Sequence, residues 1–106
     1  MSDIREARKA LLKRILEGAG RASISERRAA FHKSGLEGAA AVLVDKVAMH
    51  AVRITDQDIN AARDSGLTED QMFEIVVCGA VGQASRQYDA ALAALDVATD
   101  AASGRE

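Results

Sequence analysis

Residues 55–95 read TDQDINAARDSGLTEDQMFEIVVCGAVGQASRQYDAALAAL. Two helix starts stand in series here. Thr55-Asp56-Gln57-Asp58 places a hydroxyl and a carboxylate three residues apart, so each side chain can meet the other's backbone N–H. Asp56 and Asp58 also lie where the helix dipole favours negative charge, which accounts for both without catalysis. The helix through Ile59 and Ala62 should end at Gly66. Thr68 then pairs with Gln71 as a second capping box, with a hydrophobic staple from Leu67 to Met72. Beyond it Phe73, Val76, Val77, Ala80, Val81, Ala84, Tyr88, Leu92 and Leu95 form an apolar stripe that predicts one helix to about Ala98. At 1.5 Å per residue a helix of ~30 residues is roughly 45 Å long, more than a small domain's diameter. Gly79 and Gly82 lie inside it and either kink it or admit a second helix at close range.

Working outward, Ala40, Val42, Leu43, Val47, Ala48 and Ala51 predict a largely buried helix from Gly38 to Val52, wetter at Asp45 and Lys46. His50 sits near its C-terminal end, where the dipole favours an imidazolium. Ser23 and Glu26 have capping-box spacing, with Ser25 a competing cap, and open a short helix through Ala29, Ala30 and Phe31 that should stop near Gly35. His32 there reads as an exposed histidine. Ile4, Ala7, Leu11, Leu12, Ile15 and Leu16 predict an amphipathic basic helix, capped by Ser2 and ended by Gly18 and Gly20. The chain holds no proline and no strand-like alternation, so the fold class expected is all-α. The division is 1–20, the basic helix; 21–98, the helical domain; and 99–106, a frayed tail.

The hydrophobic fraction is 48% but aromatics are only 3% of the 106 residues. An alanine-rich core is thin, since burial stabilises in proportion to area, at roughly 25 cal/mol per Å². Close helix packing and burial between subunits both remedy that. The net charge of −2 hides an asymmetry. Arg5, Arg8, Lys9, Lys13, Arg14, Arg21, Arg27, Arg28 and Lys33 crowd the first third, and acids dominate thereafter. Such a helix face more often complements acids of its own chain or a neighbour than nucleic acid. Cys78 is the single cysteine, so no intrachain disulfide forms, and it reads as a small buried hydrophobe. No apolar leader and no membrane-spanning run is visible, and the cytoplasm is the expected compartment. No zinc-ligand spacing, phosphate loop or Ser–His–Asp order appears, so no metal and no cofactor are expected.

The run Val44-Asp45-Lys46-Val47-Ala48, His50-Ala51, Ile54 to Asp58, Gly66 to Glu74, then Ala80-Val81-Gly82 and Arg86, resembles the carboxymuconolactone decarboxylase and alkyl hydroperoxidase D-like superfamily over roughly residues 28–98. The resemblance implies an AhpD-like helical orthogonal bundle with a long C-terminal helix. It also implies assembly as trimers or hexamers, with active sites near subunit interfaces. In the family's redox branch a Cys-x-x-Cys pair attacks and resolves peroxide, served by a glutamate and a histidine. Those cysteine positions fall on Ala51 and Ile54, the glutamate near Val47 and the histidine on Asp58. The expected protein is therefore an oligomeric binding or accessory member without the redox pair. One alternative is an enzyme acting on a small anionic lactone or keto acid, with His50, Asp58 and Arg86 as catalytic residues and Arg53 nearby, since arginine suits carboxylates. Others are a peroxidase-related antioxidant protein and a regulatory module using the basic helix from Arg5 to Arg14.

Overall fold

The computed structural model describes the backbone of residues 2–103 and the side chains of residues 3–100. Within them lie five α-helices: α1 (Ser2–Glu17), α2 (Ile24–His32), α3 (Gly38–His50), α4 (Asp56–Asp64) and α5 (Glu69–Ser103), with a 3-10 turn at Ala51–Arg53 between α3 and α4. No strand occurs among the described residues. The all-α expectation holds.

The caps form as the spacing predicts. Ser23 Oγ accepts from the Glu26 N–H at 3.0 Å and Glu26 reaches back to the Ser23 N–H at 3.1 Å, so Ser23 rather than Ser25 opens α2. Thr55 and Asp58 make the same reciprocal pair on α4, and Thr68 and Gln71 on α5. The side chain of Ser2, expected to cap α1, lies outside the described residues.

Three boundaries differ. α2 stops at Lys33, which adopts φ 55°, ψ 45°, ahead of the glycine expected to end it; Gly35 follows at φ 97°. The α3 pattern runs to His50, and Ala51–Arg53 tighten into the 3-10 turn that brings Thr55 to its cap. α5 continues unbroken to Ser103, past the Ala98 limit the stripe suggests. Residues 104–106 of the expected tail lie outside the described ones.

α5 is the axis of the fold. It packs against α2 and α3, α4 packs on α3, and α1 touches α2. Two buried clusters meet at Leu67: Ala22, Ala30, Val44, Ile75 and Cys78 form one, and Leu43, Ala62 and Met72 the other. Neither contains an aromatic ring; the thin core is real. The α5 residues that do the packing are Met72, Ile75, Cys78, Gly79, Gly82 and Ser85. At about 100° per residue these occupy one face, and Phe73, Ala80, Ala84, Tyr88 and Leu95 occupy the opposite one. The stripe from Phe73 to Leu95, the obvious core candidate, is therefore largely outside: Phe73 is 70% exposed and Leu95 62%. Glycine explains the inversion. A Cβ at Gly82 would overlap the Phe31 carbonyl, and one at Gly79 would stand 3.3 Å from Val44 Cγ1. Small residues let the α2 and α3 backbones approach, and proximity rather than side-chain size fixes the buried face. The helix is not broken there, so close approach is the outcome at Gly79 and Gly82.

α1 leans on α5 through few contacts. Arg8 pairs with Asp89 at 3.0 Å and stacks over the Tyr88 ring at 4.9 Å. Ile15 and Leu16 reach the first cluster, while Ile4 and Leu11 stay exposed. The described chain measures 61 × 29 × 20 Å with a radius of gyration of 16.9 Å, against about 13 Å for a compact domain of this length. The excess is the distal part of α5.

Candidate functional site

Ionic and polar groups gather where the α1–α2 link crosses α5. The link leaves α1 carbonyls without helical partners, and Arg27, in the first turns of α2, turns back to them. Its Nη1 donates to the Ile15 carbonyl at 3.2 Å and the Gly18 carbonyl at 2.7 Å. From the other side the Glu74 carboxylate, on α5, accepts from the Arg21 N–H at 2.8 and 2.9 Å and from the Ala22 N–H at 2.5 Å. Gly20 belongs to the same arrangement, because a Cβ there would stand 2.6 Å from Glu74 Oε1. The two side chains staple the link from opposite ends. The Ala22 N–H, with that of Arg21 and the nearby Arg27 and Arg21 charges, holds the Glu74 carboxyl below the usual carboxylate range.

Arg27 is 95% buried, yet its Nε has no hydrogen-bond partner. It lines a cleft of about 180 Å³ whose apolar wall is Ile15, Phe73, Val77 and Cys78 and whose rim carries Arg14 and Glu74. Cys78, 1% exposed, lies at the floor with Sγ 3.9 Å from the Ile15 carbonyl. Burial pushes its thiol up, against the opposing pull of Arg27. A protonated, covered thiol is a poor nucleophile. Its position as a small buried hydrophobe agrees with the sequence.

The sequence-derived candidates are distributed elsewhere. Asp58 caps α4 and accepts from Lys46 Nζ at 2.7 Å and from Thr55 N at 2.9 Å; these contacts, that of Lys46 first, hold its pKa down. Arg86 donates to the Phe31 carbonyl at 2.5 Å and to Gln83 at 3.0 Å, closing an orphan acceptor at the end of α2. His50 ends α3 with its ring exposed, and Arg53 is exposed on the 3-10 turn. No hydrogen bond or ion pair joins any two of His50, Asp58 and Arg86 among the described residues. Of the positions aligned with the redox residues, Ala51 is exposed and Ile54 packs against the Leu43–Ala62–Met72 cluster. Neither can carry thiol chemistry.

Arg27 and Glu74 escape a sequence reading because neither belongs to a spacing motif. Each acts on backbone far away in the chain. The one available signal was an arginine and a glutamate flanking small-residue positions that helix packing must bury. Among the described residues no group of three or more His, Cys, Asp or Glu side chains is placed to hold a metal, and no helix is long and apolar enough to cross a membrane. No protein-family model, curated protein or solved structure matches the chain.

Proposed function

We propose that this chain is an AhpD-like protein without the redox pair, working in the cytoplasm as a homo-oligomeric binding or accessory protein. The observation that carries the reading is the second apolar face of α5. Phe73, Tyr88 and Leu95 are 46–70% exposed on a helix whose opposite side already holds the core. An apolar face that its own domain leaves largely uncovered, with Arg8 stacked on Tyr88, is the mark of an interface. The thin core supports the same conclusion, since subunit contact supplies the burial that alanines cannot. Ala51 and Ile54 at the redox positions, and a lone covered Cys78, support the absence of peroxide turnover.

Light scattering tests the first half: the mass should be a multiple of the 11.2 kDa chain, three or six times it by the family resemblance. A mass of one chain overturns the oligomer. A peroxide-reduction assay with a dithiol donor tests the second half, and turnover above background that Cys78→Ser abolishes overturns it.

A further inference from the structure

We propose that the cleft between the end of α1, Arg27 and α5 binds a small monocarboxylate with an apolar body. This inference supplies the ligand class for the binding-protein reading and rests on it only in that sense.

The guanidinium of Arg27 has two usable edges. Nη1 is spent on the Ile15 and Gly18 carbonyls. Nε–H and Nη2 share the other edge, the fork that meets a carboxylate with two parallel hydrogen bonds; Nε is covered from solvent, so an occupant reaches it as the side chains over it give way. Nε has no partner, and no bond uses Nη2 among the described residues. Leaving such a donor buried and unpaired is unfavourable, and an occupant with an acceptor removes that cost. Glu74 does not serve as that acceptor. Its oxygens are taken by the Arg21 and Ala22 N–H groups, and no ion pair joins it to Arg27.

Charge and shape define the ligand further. Arg14 and Arg27 face the cleft against the single carboxylate of Glu74, so the site carries one net positive charge and suits a monoanion. A dianion would meet Glu74 with uncompensated charge. The wall of Ile15, Phe73 and Val77 asks for an apolar body rather than a sugar or phosphate. At about 30 Å³ per water-sized group, a volume of about 180 Å³ takes about six such groups, the size of butyrate, and the larger benzoate probes its upper limit. A wider recess lined by Gly20, Arg21, Asp70 and Phe73 adjoins it and shares Phe73 and Glu74, giving such a ligand an open approach.

Butyrate and benzoate are the probes, titrated into the full-length ¹⁵N-labelled protein at constant ionic strength. The expected result is a saturable shift of the Arg27 Nε–Hε resonance and of the Arg21 and Cys78 amides, with butyramide and chloride giving none. Val77→Phe, which fills the cleft and leaves Arg27 in place, should weaken binding at least about tenfold, one decade being about 1.4 kcal/mol. Arg27→Lys should do the same, but it also removes the carbonyl caps, so Val77→Phe is the deciding variant. Absence of a saturable shift, equal shifts with butyramide or chloride, or undiminished binding in Val77→Phe overturns the inference. An oligomer that ignores both acids sinks this site alone; a monomer that binds them sinks the oligomer and leaves the site standing.

Discussion

Glu74 shows how one carboxylate can matter more than its modest burial suggests. It accepts backbone N–H groups more than fifty residues away in sequence, and so fixes the link that seats α1. Glu74→Ala leaves the part-buried Ala22 donor without its partner and hands the exposed Arg21 donor to water, at a cost of about 1–3 kcal/mol, and urea unfolding should show it. Glu74→Gln keeps an acceptor and should lose less. The pH dependence follows from the sign of the shift. The folded-state pKa of Glu74 is lowered from 4.5 and that of Asp58 from 3.8. Their contributions are complete above those ordinary values and vanish as pH falls through the lower folded ones. Stability should therefore be flat near neutrality and drop below about pH 4.5, with the gap between wild type and Glu74→Gln narrowing over the same range. Cys78 is the converse case. Its covered, protonated thiol should resist iodoacetamide in the native protein and react on unfolding.

The helices themselves were legible because their signals are local. Both ends of a capping box lie within four residues, and the pairs at Ser23–Glu26, Thr55–Asp58 and Thr68–Gln71 all form. Which face of α5 is buried was not legible in the same way. Hydropathy favours Phe73 and Leu95, whereas Gly79 and Gly82 decide the matter by permitting backbone contact, a property of pairs of helices. Arg27 and Glu74 were missed for the same reason: their partners are carbonyls and N–H groups of another segment, which no side-chain pattern encodes. The two glycines make this testable. Gly82→Ala drives a methyl into the Phe31 carbonyl, a backbone atom that cannot swing aside, and should cost about 2 kcal/mol or more. Gly79→Ala meets Val44 Cγ1 at 3.3 Å, with Val44 Cγ2 and the Ala30 carbonyl at ordinary contact distance, and gains up to about 1 kcal/mol in helix propensity, so its net effect should be within about 1 kcal/mol of zero. Equal losses at both positions would contradict the packing account.

At the scale of the molecule, the chain has built a helix longer than its own domain can use. The 35 residues of α5 extend about 52 Å at 1.5 Å per residue. Distal to Ser85 none of its described side chains is buried. An isolated helix end gains little from propensity alone, so the extension suits the partner surface proposed above, and Arg8 of α1 pairs with Asp89 in the same region. If the apolar face of that extension is the subunit interface, a paired substitution such as Leu92→Glu with Leu95→Glu should lower the light-scattering mass toward one chain. The bundle core lies elsewhere, so helical circular dichroism of the core should survive, with loss confined to the distal turns. A single glutamate on the face that already holds the core, Ile75→Glu for instance, should instead unfold the protein, because a charge would enter a site with 0% exposure among apolar neighbours. A double variant that keeps the full mass would remove the distal face from the interface and shift the search to Phe73 and Ala80, nearer the cleft.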